Sequence, residues 1–260
     1  MNVYTLITGA SGVFGGEFAR YLARRGENLL LTGRNAQKLG ALKKELDAYS
    51  TGDIEIFAAD LNAEAGRKSL FAFARGRSMV FGKLINVAGA DVQKAFKAYT
   101  PEKIVFQTRI NFEAAVAVTH EALSMRTENF GVLTVSSLCG TSPMPYFALY
   151  SATKGALINF FTALRYEYKD VKFTVLAPGS IPTRDDVKED IRLQGLTGMF
   201  SSKTPLYVVK RGIRGLEKNK RLVIPGLYNK LVYFFGKITP EGIKCRVIAK
   251  KFSIKTKDAF

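Results

Sequence analysis

The chain has 260 residues, of which 47% are apolar, and this is enough to build one hydrophobic core. Its two cysteines are too few for a disulfide framework, and no apolar run approaches the ~20 residues of a membrane-spanning helix. The formal net charge of +17 lies mostly near the carboxyl terminus, because residues 203–260 hold 15 Lys or Arg against 3 Asp or Glu.

Strand-like and helix-like runs alternate along the chain, which favours βα units and a parallel sheet. The expected strands cover residues 3–7, 28–32, 54–58, 83–86, 132–135, 172–176 and 221–224. The expected helices cover residues 15–25, 37–49, 64–74, 102–126, 150–168 and 204–218. The pattern predicts a doubly wound α/β fold with three layers, αβα, in a single domain. Ligands bind such sheets at the carboxyl ends of the strands.

Two regions fall outside this alternation. Residues 184–202 are polar and lack a clear period, which is typical of lids, although residues 185–191 could form a short helix. Residues 225–260 form a basic, amphipathic tail with several aromatic side chains. The tail could pack as a helix on the body or on a partner, could meet a membrane surface, or could be a solvated basic face.

The first expected strand runs into a glycine-rich turn, and a helix-like run follows at once. Gly9, Gly12 and Gly15 have the spacing G-x-x-G-x-x-G, with Ser11 and Phe14 between them. Glycines let the backbone approach a pyrophosphate, and the helix end supplies N–H groups with a positive partial charge. The turn therefore predicts a dinucleotide site, with a glycine-rich turn that binds nothing as the alternative.

The end of the second expected strand indicates which dinucleotide binds. A site that prefers NAD offers a carboxylate to the ribose 2′-hydroxyl, but no acid lies between Asn28 and Asn35. The Arg34 guanidinium could instead pair with a 2′-phosphate, so the sequence favours NADP(H) over NAD(H), unless Arg34 is a solvated turn residue. Asp60, after the third strand, could bind the adenine amine or cap the next helix.

Four Tyr-x-x-x-Lys pairs occur in the chain, and one has a setting that suits proton transfer. Tyr150 and Lys154 begin a helix-like run of small residues, after a strand-like run that ends in Ser137. On a helix, the two side chains of this pair lie on one face. The other three pairs lack this setting: Tyr99/Lys103, Tyr168/Lys172 and Tyr233/Lys237.

Further motifs follow the same order along the chain: Asp60-Leu61, Asn86-Val87-Ala88-Gly89, Asn111, and Pro178-Gly179-Ser180-Ile181-Pro182-Thr183. Together, over about residues 1–183, they resemble the short-chain dehydrogenase/reductase family, and within it the ketoacyl reductases and hydroxysteroid dehydrogenases. The resemblance implies a Rossmann-type sheet and hydride transfer between a nicotinamide and an alcohol or ketone. The catalytic residues that it implies are Asn111, Ser137, Tyr150 and Lys154. The implied cofactor residues are Gly9, Ser11, Gly12, Phe14, Gly15, Arg34, Asp60, Leu61, Asn86, Ala88, Gly89, Tyr150, Lys154, Pro178, Gly179, Ile181 and Thr183.

The residue types fit the roles that the resemblance implies. Tyr150 would donate the proton in ketone reduction, because a nearby cation can bring a phenol pKa from near 10 towards neutrality. Lys154 would be that cation and would also bind the nicotinamide ribose. Ser137 would donate a hydrogen bond to the substrate oxygen as negative charge develops there. Asn111 would hold a water molecule for a proton relay.

The motifs depart from the family's pattern at two places. Val87 replaces the second Asn of an Asn-Asn-Ala-Gly turn, and Gly12-Val13 replaces a Ser-Gly order that many single-domain members have. His120, the only histidine, lies in an apolar helical run and is interpreted as a packing residue. No metal site is predicted.

Apolar residues between Ser137 and Tyr150 suggest the mouth of an apolar pocket. We therefore predict an NADPH-dependent reductase of a hydrophobic ketone or 3-oxoacyl substrate, with residues 1–224 as the catalytic domain. An NADP(H)-binding protein without turnover and a membrane-surface protein that acts through its tail are the alternatives.

The basic tail, residues 225–260, would meet an anionic acyl carrier or a membrane surface. Nucleic acid is not an expected partner, because no recognised module accompanies the charge. The chain begins without a charged leader segment, and we expect a cytoplasmic protein, at most peripheral to a membrane, that forms a homo-oligomer.

Overall fold

The computed structural model describes residues 2–183, 185–193, 195–252 and 257–258. Its strands are β1 (Asn2–Ile7), β2 (Leu29–Gly33), β3 (Ile54–Ala58), β4 (Met79–Asn86), β5 (Val92–Gln93), β6 (Arg126–Val135), β7 (Lys172–Leu176), β8 (Leu222–Val223) and β9 (Lys257–Asp258). Seven of them form one parallel sheet in the order β3-β2-β1-β4-β6-β7-β8, whereas β5 and β9 pair antiparallel outside it. The predicted Rossmann-type α/β fold is confirmed.

The α-helices are α1 (Val13–Ala23), α2 (Ala36–Asp47), α3 (Glu64–Gly76), α4 (Pro101–Thr108), α5 (Ala114–Leu123), α6 (Ala148–Glu167), α7 (Asp185–Leu193), α8 (Gly195–Ser201), α9 (Pro205–Glu217), α10 (Leu227–Ile238) and α11 (Glu241–Phe252). Helices α1, α2 and α9 cover one face of the sheet, and α3, α5 and α6 cover the other. Neighbouring strand residues enter opposite cores, as Leu84 and Ile85 do. Because both faces are buried, the strands read as nearly continuous apolar runs.

The order of the strands reverses between β1 and β4, and the loops that follow these two strands meet there. The Thr8 hydroxyl oxygen accepts hydrogen bonds from the backbone N–H groups of Val87 and Ala88, at 3.0 and 3.2 Å. This contact joins the glycine-rich turn to the Asn86–Gly89 turn at the carboxyl edge of the sheet, where a ligand is expected.

The expected helix over residues 102–126 is wrong in two respects. A π-helical turn, Arg109–Glu113, separates α4 from α5, and the helix ends at Leu123. Strand β6 already begins at Arg126, which pairs with Phe81, whereas the sequence predicted a strand only from Val132. Most of the first four residues of β6 are exposed and polar, so they carry no apolar alternation by which a strand could be predicted.

The regions around residues 184–202 and 225–260 contain helices that pack on one another. Helix α8 meets α10, where the ring centroids of Phe200 and Tyr228 lie 6.0 Å apart. The fully buried Asn229 amide donates to the carbonyl oxygens of Ser201 and Pro225, at 2.9 and 2.8 Å. In the ranges that the structure describes, no helix has the length and apolar character needed to cross a membrane.

Two helical glycines are expected to respond oppositely to alanine. A Cβ atom at Gly15 would overlap the Gly9 carbonyl oxygen, whereas a Cβ atom at Gly40 in α2 would meet no atom within 4 Å. Gly15→Ala should lower the free energy of unfolding by ~1–3 kcal/mol because the backbone must move. Gly40→Ala should raise it by ~0.5–1 kcal/mol because alanine loses less entropy in a helix. Urea unfolding of the unliganded protein measures both, and shifts of the same sign would contradict the packing described here.

Candidate active site

A cleft of about 700 Å³ lies at the carboxyl ends of β4, β6 and β7. Its walls come from the loops after these strands and from α6, α7, α10 and α11. The predicted site residues in its wall are Phe14, Gly89, Ser137, Tyr150, Lys154, Pro178, Gly179, Ile181 and Thr183. The others lie outside this lining, in or near the loops after β1 to β4 or in the π-helical turn: Gly9, Ser11, Gly12, Gly15, Arg34, Asp60, Leu61, Asn86, Ala88 and Asn111.

Tyr150 lies in the first turn of α6, where an aromatic neighbour orients its ring. The Phe147 ring stacks on the Tyr150 ring with the centroids 4.4 Å apart and the planes 15° apart. The Lys154 Nζ atom lies 5.8 Å from the centroid of the same tyrosine ring. The structure therefore holds the phenol by stacking on one side and places an ammonium group near it.

Lys154 is almost completely buried, with 4% of its surface exposed. Its Nζ atom donates a hydrogen bond to the Val135 carbonyl oxygen at 3.1 Å. Burial lowers the pKa of Lys154 from 10.5 to about 8, while the charge of Asp91 acts in the opposite direction. Because burial disfavours the charged form, this ammonium loses its proton more easily than an exposed lysine does.

Ser137 follows β6 and begins a 3₁₀ turn, Leu138–Thr141. Its hydroxyl oxygen accepts a hydrogen bond from the Cys139 backbone N–H at 3.2 Å. This turn packs directly on α6, because a Cβ atom at Gly140 would come within 2.6 Å of the Lys154 carbonyl carbon. The preceding Ser136 hydroxyl donates to the Lys154 carbonyl oxygen at 2.7 Å. These contacts fix the position of Ser137 relative to Tyr150 and Lys154.

Asn111 lies in the π-helical turn and is fully buried. Its side-chain amide binds both backbone groups of Ala90, donating to the carbonyl oxygen at 2.8 Å and accepting from the N–H at 2.6 Å. The side chain thus fastens the loop after β4 to the α4–α5 connection. At Gly89, a Cβ atom would lie 3.0 Å from Asn111 Oδ1 and 3.2 Å from Lys154 Nζ, so only glycine leaves these groups in place.

The glycine-rich turn has the geometry that a dinucleotide phosphate needs. Gly9 has a φ of +67°, and a Cβ atom there would lie 2.8 Å from the Ala88 backbone nitrogen. Helix α1 begins at Val13 with Gly12 as its N-cap, so no side chain covers its first N–H groups. Ser11 packs against Gly33, at the end of β2. The residues present therefore fit a bound pyrophosphate next to the cleft.

The two predicted contacts at the adenosine end lie on the surface. Arg34 is exposed at the end of β2, and its guanidinium lies 5.7 Å from the Phe106 ring centroid. The carboxylate of Asp60 accepts a hydrogen bond from the Asn62 backbone N–H at 3.0 Å. Asp60 therefore forms a turn before α3 and does not cap this helix, whose N-cap is Ala63.

Other side chains in the cleft were not predicted as site residues. Asp91, two residues after Gly89, lies in the wall, and its position after the Asn86–Gly89 motif was the available signal. Cys139, two residues after Ser137, also lies there, and burial raises the pKa of its thiol. Tyr233, from one of the Tyr-x-x-x-Lys pairs set aside above, is part of the same wall.

His120 is exposed on α5, so its interpretation as a packing residue is wrong. The prediction assumed that the apolar residues around it in sequence share its face of the helix. Among the residues that the structure describes, no cluster of three or more His, Cys, Asp or Glu could hold a metal ion.

A family model described as short chain dehydrogenase matches residues 4–192. The chain belongs to the short-chain dehydrogenase family. It is 28% identical over 243 residues to the 11-beta-hydroxysteroid dehydrogenase-like 2 protein of Arabidopsis thaliana, covering 91% of this chain and 77% of that one. It is 31% identical to the dehydrogenase/reductase SDR family member 7B of Bos taurus, covering 86% and 73%.

A similar fold occurs in a solved short-chain dehydrogenase from Sphingobium yanoikuyae in complex with NADPH. The TM-score is 0.77 at 22% identity, and the match covers 99% of both chains. The 260-residue chain is, like the other members of its family, an NAD(P)-dependent oxidoreductase that acts on CH–OH or C=O groups.

The charge of Asp91 should control the pH at which activity declines. Lys154 is protonated below its pKa of about 8, so kcat/KM for the reduced cofactor should fall as pH rises above 8. Asp91→Asn removes the negative charge that raises the Lys154 pKa, and the decline should begin at a lower pH. Asp91→Glu, which keeps the charge, is the control. Profiles measured from pH 6 to pH 10 that coincide for all three proteins would contradict this coupling.

Proposed function

We propose that the chain is an NADPH-dependent reductase that converts a hydrophobic ketone or a 3-oxoacyl substrate into the secondary alcohol. One observation carries the proposal: Ser137, Tyr150 and Lys154 lie together in the wall of a cleft in which apolar side chains predominate. Relatives named as hydroxysteroid dehydrogenase-like proteins support a hydrophobic carbonyl compound as the substrate class.

In this proposal, NADPH held at the glycine-rich turn would supply the hydride for the carbonyl carbon. The Tyr150 hydroxyl donates a proton to the carbonyl oxygen, so that one hydride and one proton complete the alcohol. The Ser137 hydroxyl donates a hydrogen bond to the same oxygen and stabilises the negative charge that develops there. The stack of Phe147 on Tyr150 keeps the phenol in one orientation while the ketone is converted into the alcohol.

Lys154 acts on Tyr150 through its charge. An ammonium within reach of the phenol favours the tyrosinate that remains after the proton has left. The same group would bind the hydroxyls of the nicotinamide ribose, next to the Asn86–Gly89 turn. Asn111 would hold a water molecule that returns a proton, while its amide fixes the loop at Ala90.

The proposed preference for NADPH rests on the end of β2. This strand and the following turn carry no acid that would bind a ribose 2′-hydroxyl, and Arg34 is exposed directly after Gly33, which packs against Ser11 of the glycine-rich turn. A planar guanidinium pairs well with a phosphate. The NADPH complex of the similar Sphingobium yanoikuyae enzyme supports this choice.

The cleft walls favour a long or bulky apolar substrate. Met144 and Phe147 lie on the side of Tyr150, whereas Val232 of α10 and Val247 of α11 lie in the tail. We therefore propose that α10 and α11 help to form the substrate site rather than a separate tail, and that α7, with Val187 in the wall, acts as part of a lid. A homo-oligomer stays a prediction.

Tyr150→Phe should remove turnover and leave cofactor binding intact. Loss of a general acid lowers a rate by roughly 10²- to 10⁴-fold, whereas the phenol ring and its stack on Phe147 remain. The measurement is NADPH oxidation with a panel of aliphatic ketones, steroids and 3-oxoacyl thioesters, together with NADPH binding by fluorescence.

Tyr233→Phe is the matched control for this change. Tyr233 lies in the same cleft wall and also has a lysine four residues later, whose Nζ atom is 5.5 Å from its ring centroid. It should keep its activity within about threefold, because its hydroxyl has no role in the chemistry. Equal losses in the two variants, or no oxidation of NADPH by the native chain with any substrate, would refute the assignment.

Arg34→Ser should change the choice of cofactor. Loss of a charge-assisted hydrogen-bond pair should raise KM for NADPH by roughly 10- to 100-fold and leave KM for NADH within about twofold. Arg24→Ser removes an exposed arginine at the end of α1 and serves as the control. An unchanged ratio of the two KM values would show that Arg34 does not bind the 2′-phosphate.

A further inference from the structure

Helix α10 presents an apolar stripe to solvent. Leu227, Leu231, Phe234 and Ile238 are 73%, 46%, 59% and 65% exposed and follow one another at intervals of four, three and four residues. This spacing places the four side chains along one side of the helix. The opposite side carries the fully buried Asn229, so the stripe points away from the body of the protein.

Helix α8, which packs on α10, carries further exposed apolar side chains. Leu196, Met199 and Phe200 are 69%, 58% and 50% exposed, and they too lie at helical spacing. The Phe200 ring contacts Tyr228, and Asn229 binds Ser201, so α8 and α10 are fastened to each other. We call the combined surface the apolar face; with Phe235, which is 56% exposed, its members are Leu196, Met199, Phe200, Leu227, Leu231, Phe234, Phe235 and Ile238.

Exposed apolar patches of this kind mark interaction sites. The charge of the surrounding segment indicates the kind of partner. Lys230 and Lys237 are exposed on α10, and Arg246 and Lys251 are exposed on α11, whereas Glu241 is the only acid in these two helices. A second copy of the chain would bring the same positive charge and be repelled. An anionic partner is attracted.

We propose that the apolar face docks on a membrane surface that contains anionic phospholipids. Leucine, isoleucine and phenylalanine side chains on successive helical turns can enter the acyl boundary while lysines meet the lipid headgroups. An acidic protein, such as an acyl carrier, would be attracted by the charge alone and would not need the apolar stripe. The combination of both features therefore favours lipid.

Docking would also deliver the substrate. Helix α10 lines the cleft with Val232, Tyr233 and Gly236, while its stripe would lie at the acyl boundary of the membrane. A hydrophobic ketone dissolved in the membrane would then reach the cleft without crossing water. This last step rests on the proposed function, whereas membrane binding itself does not.

The test is flotation of the full chain with vesicles, without substrate or cofactor. Vesicles of phosphatidylcholine alone are compared with vesicles that also contain phosphatidylserine at about one lipid in three. Native protein should float with the anionic vesicles and bind the neutral ones at least tenfold more weakly, since each lysine near the surface contributes about fivefold.

The triple variant Leu231→Gln/Phe234→Gln/Ile238→Gln should bind anionic vesicles roughly 100-fold more weakly, because three half-exposed apolar side chains no longer enter the lipid. The control is Val105→Gln/Tyr166→Gln, which removes two exposed apolar residues from α4 and α6 and should bind as the native chain does. All three proteins should keep their melting temperature and NADPH affinity, which separates this test from that of the proposed function.

Three results would overturn the proposal. Native protein that floats with neither kind of vesicle does not dock on lipid. A triple variant that binds as well as native protein is held by charge alone, which would point to an acidic protein partner. Native protein that forms dimers by sedimentation velocity, but not after the triple substitution and without vesicle binding, would show that the apolar face joins two copies of the chain.

Discussion

Burial of the Lys154 ammonium is the constraint around which the site is built. The ammonium donates a hydrogen bond to the Val135 carbonyl oxygen. The backbone of α6 at Lys154 accepts a hydrogen bond from the Ser136 hydroxyl and lies directly against Gly140. Burial holds the pKa near 8 instead of 10.5, a cost of roughly 3 kcal/mol for the charged form. Between these two values the unfolded chain binds more protons than the folded one, so stability rises with pH through that window and the full penalty applies below pH 8.

This constraint explains why small residues surround the lysine. An added Cβ atom at Gly140 would lie 2.6 Å from the Lys154 carbonyl carbon, and one at Gly89 would lie 3.2 Å from Lys154 Nζ, so a side chain at either position would crowd the lysine or its helix. At Gly155 an added Cβ atom would lie 3.0 Å from the Gly140 carbonyl oxygen. The same glycines leave room beside the cleft for a ligand. Packing around the lysine and access for a cofactor are therefore produced by the same residues, and the Phe147–Tyr150 stack completes the wall.

Local patterns made the sheet and the site predictable. Strands buried on both faces give apolar runs, and Tyr150 and Lys154 are one helical turn apart, so their proximity follows from the sequence alone. Features that depend on distant partners were not predictable. Asn111 lies in a π-helical turn and binds Ala90, and Arg126 is in a strand because Phe81 pairs with it.

The carboxyl-terminal helices show the same limit of prediction from sequence. They take part both in the proposed substrate site and in the proposed membrane docking. Their composition indicated a basic amphipathic segment but did not indicate that its buried side packs on α8. That contact depends on the hydrogen bonds between Asn229 and Ser201, which lies twenty-eight residues earlier. Once that contact is made, α10 has one side in the wall of the cleft and the other in solvent. Since the inner and outer residues of α10 are distinct, substitutions on its outer side should change where the enzyme works without changing the chemistry that it performs.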